Sequence, residues 1–254
     1  MSEIEIREAV RAELVAGGDL LASALRFSPR EAIPAWLMQT SVECGGLALG
    51  AFRDGVLGGF SYALPCGDRA LFSCGLAVLP EWRGHGVGRK LKLAQRDRAL
   101  LQGRTHIRWT ADPLSAAALM LYLPGLGARL TAYGAELYAD VRPAAVPPDD
   151  VTIDWALSVT RAAQAGGCPA RQPEARHGQP DAEQQDIDIR AGSSAACIEV
   201  PFDHMALTEP DLLRWRLRVR RSMCRALAGG AVGTGMAVDR VARRCWVLFE
   251  EAAA

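Results

Sequence analysis

The sequence predicts a mixed α/β (α+β) fold in two parts. A mixed sheet with a βαβ unit at its centre occupies residues 1–145, and a smaller β-α-β-β region occupies residues 146–254. Three observations predict it. An apolar run at residues 71–79 ends at Pro80, a glycine-rich turn follows at once, and helical spacing begins inside that turn. Two more apolar runs, 45–52 and 56–64, are joined by Arg53-Asp54-Gly55, and Asp-Gly between such runs marks a hairpin. Residues 105–110 (THIRWT) then alternate apolar and polar. A strand there, parallel to 71–79 with the helix crossing between them, closes a βαβ unit.

Each element has its own local reason. Residues 4–8 alternate and read as a first strand. Residues 9–26 have helical spacing broken by Gly17-Gly18. Ser28-Pro29-Arg30-Glu31 reads as a capping box for a helix that ends near Thr40 and turns Ile33, Trp36 and Leu37 inward. After the hairpin and the turn at Pro65-Cys66-Gly67-Asp68 comes the strand at 71–79. Val87, Leu91, Ala94 and Leu101 share one face of the next helix, and Gly103 stops it. Asp112-Pro113-Leu114-Ser115 opens a short helix to about Leu123, broken by Pro124-Gly125, and residues 128–132 and 136–142 read as strands. In the second part, residues 151–159 read as a strand. The polar stretch 161–195 reads as a flexible loop, and 196–200 as a short strand. Thr208-Glu209-Pro210-Asp211 opens a helix to about Ala228, with Gly229-Gly230 as its stop. Residues 232–238 and 244–249 close the region as strands. That last helix carries Arg214, Arg216, Arg218, Arg220, Arg221 and Arg225. They are read as a solvated face whose stems cover apolar surface, with a phosphate-binding face as the other reading.

The turn Arg83-Gly84-His85-Gly86-Val87-Gly88 carries the chemistry. Its glycines let backbone approach a ligand closely. The N–H groups of residues 84–89 precede any carbonyl they can pair with, so they form an anion cradle on a helix end. Two familiar phosphate loops do not fit. The chain reads Gly88-Arg89-Lys90-Leu91 where a Walker loop needs Lys-Ser or Lys-Thr, and the glycine spacing is not that of a dinucleotide fingerprint.

The totals exclude several classes. Lys plus Arg equals Asp plus Glu, 29 against 29, so no net field recruits nucleic acid or an anionic membrane. No apolar run is long enough to span a bilayer. The opening MSEIEIREAVRAEL is acidic and amphipathic, unlike a secretory signal. Seven cysteines at irregular spacing, without a Cys-x-x-Cys, and four scattered histidines make no metal pattern. A reduced, cytoplasmic setting is the expectation.

The pattern Arg83-x-x-Gly86-x-Gly88, after a strand ending Leu76-Ala77-Val78-Leu79-Pro80, resembles the coenzyme A pyrophosphate loop of the GNAT N-acyltransferase superfamily. The likeness continues in Phe27-Ser28-Pro29-Arg30-Glu31, Ile33-Pro34-Ala35, Gly45-Gly46-Leu47 and Glu81-Trp82-Arg83-Gly84. It also takes in Leu91-Lys92-Leu93-Ala94-Gln95-Arg96, Trp109-Thr110-Ala111-Asp112-Pro113-Leu114 and Leu126-Gly127-Ala128. In these runs the chain is similar to a bacterial group of GNAT acetyltransferases with an extra C-terminal region, and the likeness extends over most of its length. The resemblance implies a GNAT-type sheet whose βαβ unit binds acyl-CoA, with acetyl-CoA as co-substrate and no metal. It implies an amine of a small molecule as acceptor, attacked directly in a ternary complex. A homodimer stays open.

The resemblance also assigns roles. Leu76, Ala77 and Val78 would line the pantetheine arm, with the Val78 N–H polarising the thioester carbonyl. Arg83, Gly84, His85, Gly86, Val87, Gly88 and Arg89 would hold the pyrophosphate, and Ser115 would stand where an Asn often contacts the cofactor. Tyr122 would be the general acid, one residue out of the usual register. Cys74 occupies a place where a base sits in relatives, with Glu43 and Ser73 as fallbacks. The small-core-residue reading of Cys74 and the packing readings of Tyr133, Tyr138, His85 and His106 stand beside these. A non-catalytic acyl-CoA-binding or regulatory module, or an O-acyl or carrier-protein-dependent transferase, are the alternative functions.

Overall fold

The computed structural model describes residues 3–25, 31–67, 69–138, 140, 144–157, 188–189 and 196–252. The chain packs as two compact units, Met1–Trp109 with Ala156–Ser158, and Thr110–Trp155 with Val159–Ala254.

The first unit contains β1 (Glu5–Glu8), α1 (Leu14–Leu25), α2 (Ala35–Glu43), β2 (Leu47–Arg53), β3 (Val56–Cys66) and β4 (Ala70–Val78). Next come α3 (Val87–Leu101) and β5 (His106–Ala111), the latter belonging to this unit as far as Trp109. The strands pair in the order β1-β2-β3-β4-β5. All pairs are antiparallel except β4–β5, which is parallel, so the expected meander and βαβ unit are both present. Alternation along the strands sends side chains to two opposite faces. One face gathers Ala48, Phe60, Tyr62 and Ala77 with Leu14 and Leu21 of α1 and Met38 of α2. The other gathers Leu49, Ala51 and Trp82 with Val87 and Leu91 of α3.

Two expectations about inward faces fail here. In α2 Trp36 is 70% exposed and Leu37 is exposed, while Met38 is buried, and the helix runs on to Glu43. Pro34 is the N-cap, and helix register from Ala35 brings Ala35, Met38 and Val42 onto the sheet-facing stripe. Ile33 does pack against that cluster, and the Ser28 cap lies outside the described residues. In α3 the buried stripe is Val87, Leu91, Gln95 and Ala99. Leu101 lies about half a turn round from Ala99 and is 80% exposed.

The second unit contains α4 (Ala116–Met120), β6 (Arg129–Gly134), β7 (Asp150–Ala156, belonging to this unit as far as Trp155), β8 (Asp188–Ile189), β9 (Ala196–Val200), α5 (Glu209–Ala228), β10 (Ala231–Asp239) and β11 (Arg244–Glu251). Antiparallel pairing gives the order β7-β6-β10-β11-β9-β8, with α5 against β6, β9 and β10. The helix expected from Asp112 starts only at Ala116, because the Asp112 carboxylate takes the Leu114 N–H at 2.8 Å and holds a turn. Pro124 does not end the helix but sits inside a wide π-type turn, Leu121–Gly125. Residues 135–138 are a turn rather than the start of a strand. Glu136 has φ 51° there, and its N–H donates to Asp149 at 2.9 Å. The loop expected at 161–195 lies outside the described residues apart from the two of β8.

The arginines of α5 are neither a phosphate face nor simply a solvated one. Arg216 is buried and pairs with Asp112 at 3.2 Å. Arg220 reaches Asp149 at 2.7 Å and Glu136 at 3.0 Å, and Arg218 reaches Glu199 at 3.3 Å. Three arginines thus tie the helix to acids on neighbouring segments.

Candidate active site

The site is built where β4 parts from β5. Ala70, Leu71 and Phe72 pair with His106, Ile107 and Arg108, and no further β4–β5 pair occurs among the described residues. β4 runs on for six residues to Val78 while still paired to β3. The Leu79 N–H donates to the Gly58 carbonyl at 2.9 Å, so Val78–Gly59 is the next, non-hydrogen-bonded pair of the ladder, and Leu76–Ser61 is the same kind. The amides of Leu76 and Val78 therefore point away from β3, toward the side that β5 has left. The Val78 carbonyl on that side accepts from Arg83 Nε at 3.1 Å.

The loop follows directly. Pro80–Trp82 forms a 3₁₀ turn, and Trp82 packs its indole flat on Gly58, where a Cβ would stand 2.2 Å from the ring. That contact roots the loop on the sheet. Gly84 and Gly86 take φ 77° and 74°, the left-handed conformation that glycine adopts without strain, and a Cβ at either would meet no atom within 4 Å. The amides of residues 84–88 find no acceptor among the described residues, and α3 begins at Val87. The result is an open row of donors on the positive end of a fifteen-residue helix, which suits a diphosphate. His85 turns its ring back onto the Arg83 carbonyl, 2.8 Å from Nδ1.

On the α3 face of the fork lies a polar group that joins Lys92 to Ser73, a fallback base in the sequence reading. Lys92 is 1% exposed. Its Nζ donates to Ser73 Oγ of β4 at 2.8 Å and to Gln95 Oε1 at 3.1 Å, and it lies 3.9 Å from the ring centroid of Trp109 on β5. Gln95 in turn donates to Ser61 Oγ of β3 at 2.9 Å. No carboxylate faces Lys92 among the described residues, and burial pulls its pKa down to about 7. The available signal was periodicity: Gly88, Lys92, Gln95 and Ala99 recur at helical spacing beside the apolar stripe.

The other candidates stand as follows. Cys74 is the bulged residue of β4, between the pairs Tyr62–Gly75 and Ala63–Ser73, and it packs against the α1/α2 cluster. Burial pushes its thiol up to about 11, so it keeps its proton at neutral pH and is a poor base or nucleophile. Glu43 is exposed at the end of α2 and accepts from Gln39 at 2.7 Å. In the second unit Ser115 is the N-cap residue of α4, although its hydroxyl caps no amide. Tyr122 is half-buried in the wide turn after α4, and burial raises its phenol to about 12. Tyr133 donates to Asp149 at 2.6 Å, which fits the packing reading. Among the described residues no cluster of His, Cys, Asp and Glu comes together as a metal site. No helix there is long and apolar enough to cross a membrane.

Comparison with known proteins agrees with this geometry. The model of the acetyltransferase (GNAT) family matches residues 19–127. No curated protein matches the chain in sequence. Among solved structures, the ribosomal-protein-S18-alanine N-acetyltransferase from Escherichia coli is 18% identical with a TM-score of 0.52, covering 62% of this chain and 96% of its own. The protein yncA from Salmonella typhimurium, whose structure includes its cofactor acetyl-CoA, is 20% identical with a TM-score of 0.52, covering 61% and 94%. An N-acetyltransferase from Staphylococcus aureus is 14% identical with a TM-score of 0.51, covering 61% and 99%. At these identities the solved structures speak for the fold, and the family model speaks for the domain: residues 19–127 are an acetyltransferase domain of the GNAT family.

Proposed function

We propose that the chain transfers an acetyl group from acetyl-CoA to the amine of a small molecule, by direct attack in a ternary complex. One observation carries the reading: the unpartnered amides of residues 84–88 lie at the end of a strand that has already parted from its parallel neighbour. A diphosphate on that loop leaves the pantetheine arm running along the free side of β4. There the Val78 and Leu76 amides supply the donors that a thioester carbonyl needs as charge develops on its oxygen. Arg83 and Arg89 flank the loop as charged donors, while Gly84 and Gly86 leave space for the phosphates. Ser115 is retained as a cofactor contact on the family likeness alone.

The leaving thiolate needs a proton. A phenol raised to about 12 stays protonated throughout the neutral range, so Tyr122 is suited to donate one. Tyr122→Phe lowers kcat about 10- to 100-fold while acetyl-CoA binding is kept. Equal kcat for the two proteins removes Tyr122 from the chemistry.

The test of the whole reading is thiol release. The full chain is incubated with acetyl-CoA and a panel of small amines, alcohols and alanine-led peptides. Amine-dependent release supports the proposal. Release with alcohols only makes the chain an O-acyltransferase, and saturable CoA binding without release for any acceptor makes it a binding module.

A further inference from the structure

Lys92 is a buried amine that no role described so far uses, and its position is specific. The last β4–β5 pair joins Phe72 to Arg108. The next residues on the two strands are Ser73 and Trp109, and Lys92 Nζ touches both, by a 2.8 Å hydrogen bond and by a ring contact. The amine therefore sits at the floor of the fork whose open side is the proposed acyl site. Lysine carries a long flexible stem and a strongly hydrated charge, and it is rarely buried without a carboxylate. Here it meets one hydroxyl, a carboxamide oxygen and an indole face. None carries a full negative charge to offset the lost hydration of an ammonium, so burial favours the neutral amine.

We infer that Lys92 takes up the proton released by the acceptor amine, passed to it through the Ser73 hydroxyl. The inference rests on the transferase reading above and supplies the base which that reading lacks. As the acceptor nitrogen bonds to the acyl carbon, the carbon–sulfur bond breaks. The nitrogen's proton goes to Ser73 Oγ, and the Ser73 hydroxyl proton goes to Nζ. The thiolate takes a proton from Tyr122, which is replenished from solvent, and the Lys92 ammonium releases its own to solvent. One proton thus leaves nitrogen and one arrives at sulfur. Gln95, held by Ser61, fixes the amine by accepting one of its N–H groups; the charged amine donates to Ser73 Oγ, and the neutral amine turns its lone pair to the Ser73 hydroxyl, which then donates to it.

The groups facing Nζ are Ser73 and Cys74 from β4, Trp109 from β5 and Gln95 from its own helix, with Ser61 of β3 held behind Gln95. Of these only Cys74 titrates, and with its thiol held at about 11 it stays neutral while Lys92 changes charge. The acceptor amine titrates as well, so the part of the rising limb of kcat against pH that Lys92→Met loses is the part that belongs to Lys92.

Two readouts on the full chain test this. With lysine labelled at Cε with carbon-13, the signal absent from Lys92→Met titrates near pH 7, where burial of the amine puts it. A Lys92 signal that stays charged through about pH 9 overturns the inference whatever the acceptor. In thiol release with the best amine of the panel, Lys92→Met loses about 100-fold or more in kcat and the rising limb, with acetyl-CoA affinity kept. Ser73→Ala loses about tenfold or more and keeps the limb. Full kcat with an unchanged limb in Lys92→Met overturns the inference and leaves the transferase reading standing. No release by the wild type with any amine instead overturns the transferase reading, and this inference with it.

Discussion

At the residue scale, burial decides what Cys74 and Lys92 can do. Cys74 stands at a sequence position that invites a chemical role, yet its bulge seats it on the α1/α2 core and burial keeps it a thiol. Lys92 reads in sequence as one more lysine in a basic helix, and only the packed structure shows it inside. That burial has a cost with a definite pH signature. Its pKa falls from 10.5 in the unfolded chain to about 7 in the folded one. Below pH 7 both states are charged, and the folded state bears the full penalty. Between about 7 and 10.5 the unfolded chain holds a proton that the folded chain has lost, so stability rises with pH. Relative to Lys92→Met, wild-type unfolding free energy should climb by up to about 1.4 kcal/mol per pH unit across that window, measured by urea denaturation. A difference that does not change with pH would mean the amine is hydrated in the native state. Two residues along a helix is over half a turn, so Lys90 and Lys92 face opposite ways, and the spacing of Lys92 beside the apolar stripe was the one sign in the sequence of its burial.

At the element scale, most of what positions the site was legible. The strand, the Pro80 stop, the glycine turn and α3 follow from spacing alone, because each is fixed by residues adjacent in sequence. What was not legible depends on partners far along the chain. Trp36 faces out because Pro34 sets the register of α2, and the turn at Glu136 exists because Asp149 accepts its amide. α3 is held to the sheet by Val87 and Leu91, and Leu91 is fully buried. Leu91→Ala is expected to destabilise by about 2–5 kcal/mol and to weaken CoA binding, since the loop is the start of that helix. Chemical denaturation and calorimetry on the same protein check both effects. In the second unit, Asp149 accepts from Arg220, Tyr133 and the Glu136 amide while wholly buried. Asp149→Asn leaves the guanidinium short of its charge partner and should cost about 3–5 kcal/mol, read from urea midpoints. A loss under about 1 kcal/mol would show that water replaces the carboxylate.

At the scale of the whole molecule, charge does not choose the ligand. Acidic and basic residues balance, 29 against 29, so attraction for a polyanion has to be local. The locality is the loop of residues 83–89, whose donors are mostly backbone and whose shape needs two glycines at positive φ. Backbone donors leave no trace in composition, only in glycine spacing, which is why the anion cradle was readable from sequence and the contacts of Lys92 with β4 and β5 were not. Calorimetric titration with CoA tests whether this loop holds the coenzyme A diphosphate. Wild type should bind with one site per chain. Gly86→Asp places a carboxylate in the open space beside the amides, at a cost to folding of only about 1–2 kcal/mol. It should lose binding about 100-fold or more while circular dichroism stays unchanged. Equal affinity in the two proteins, or no binding by wild type, would contradict the account.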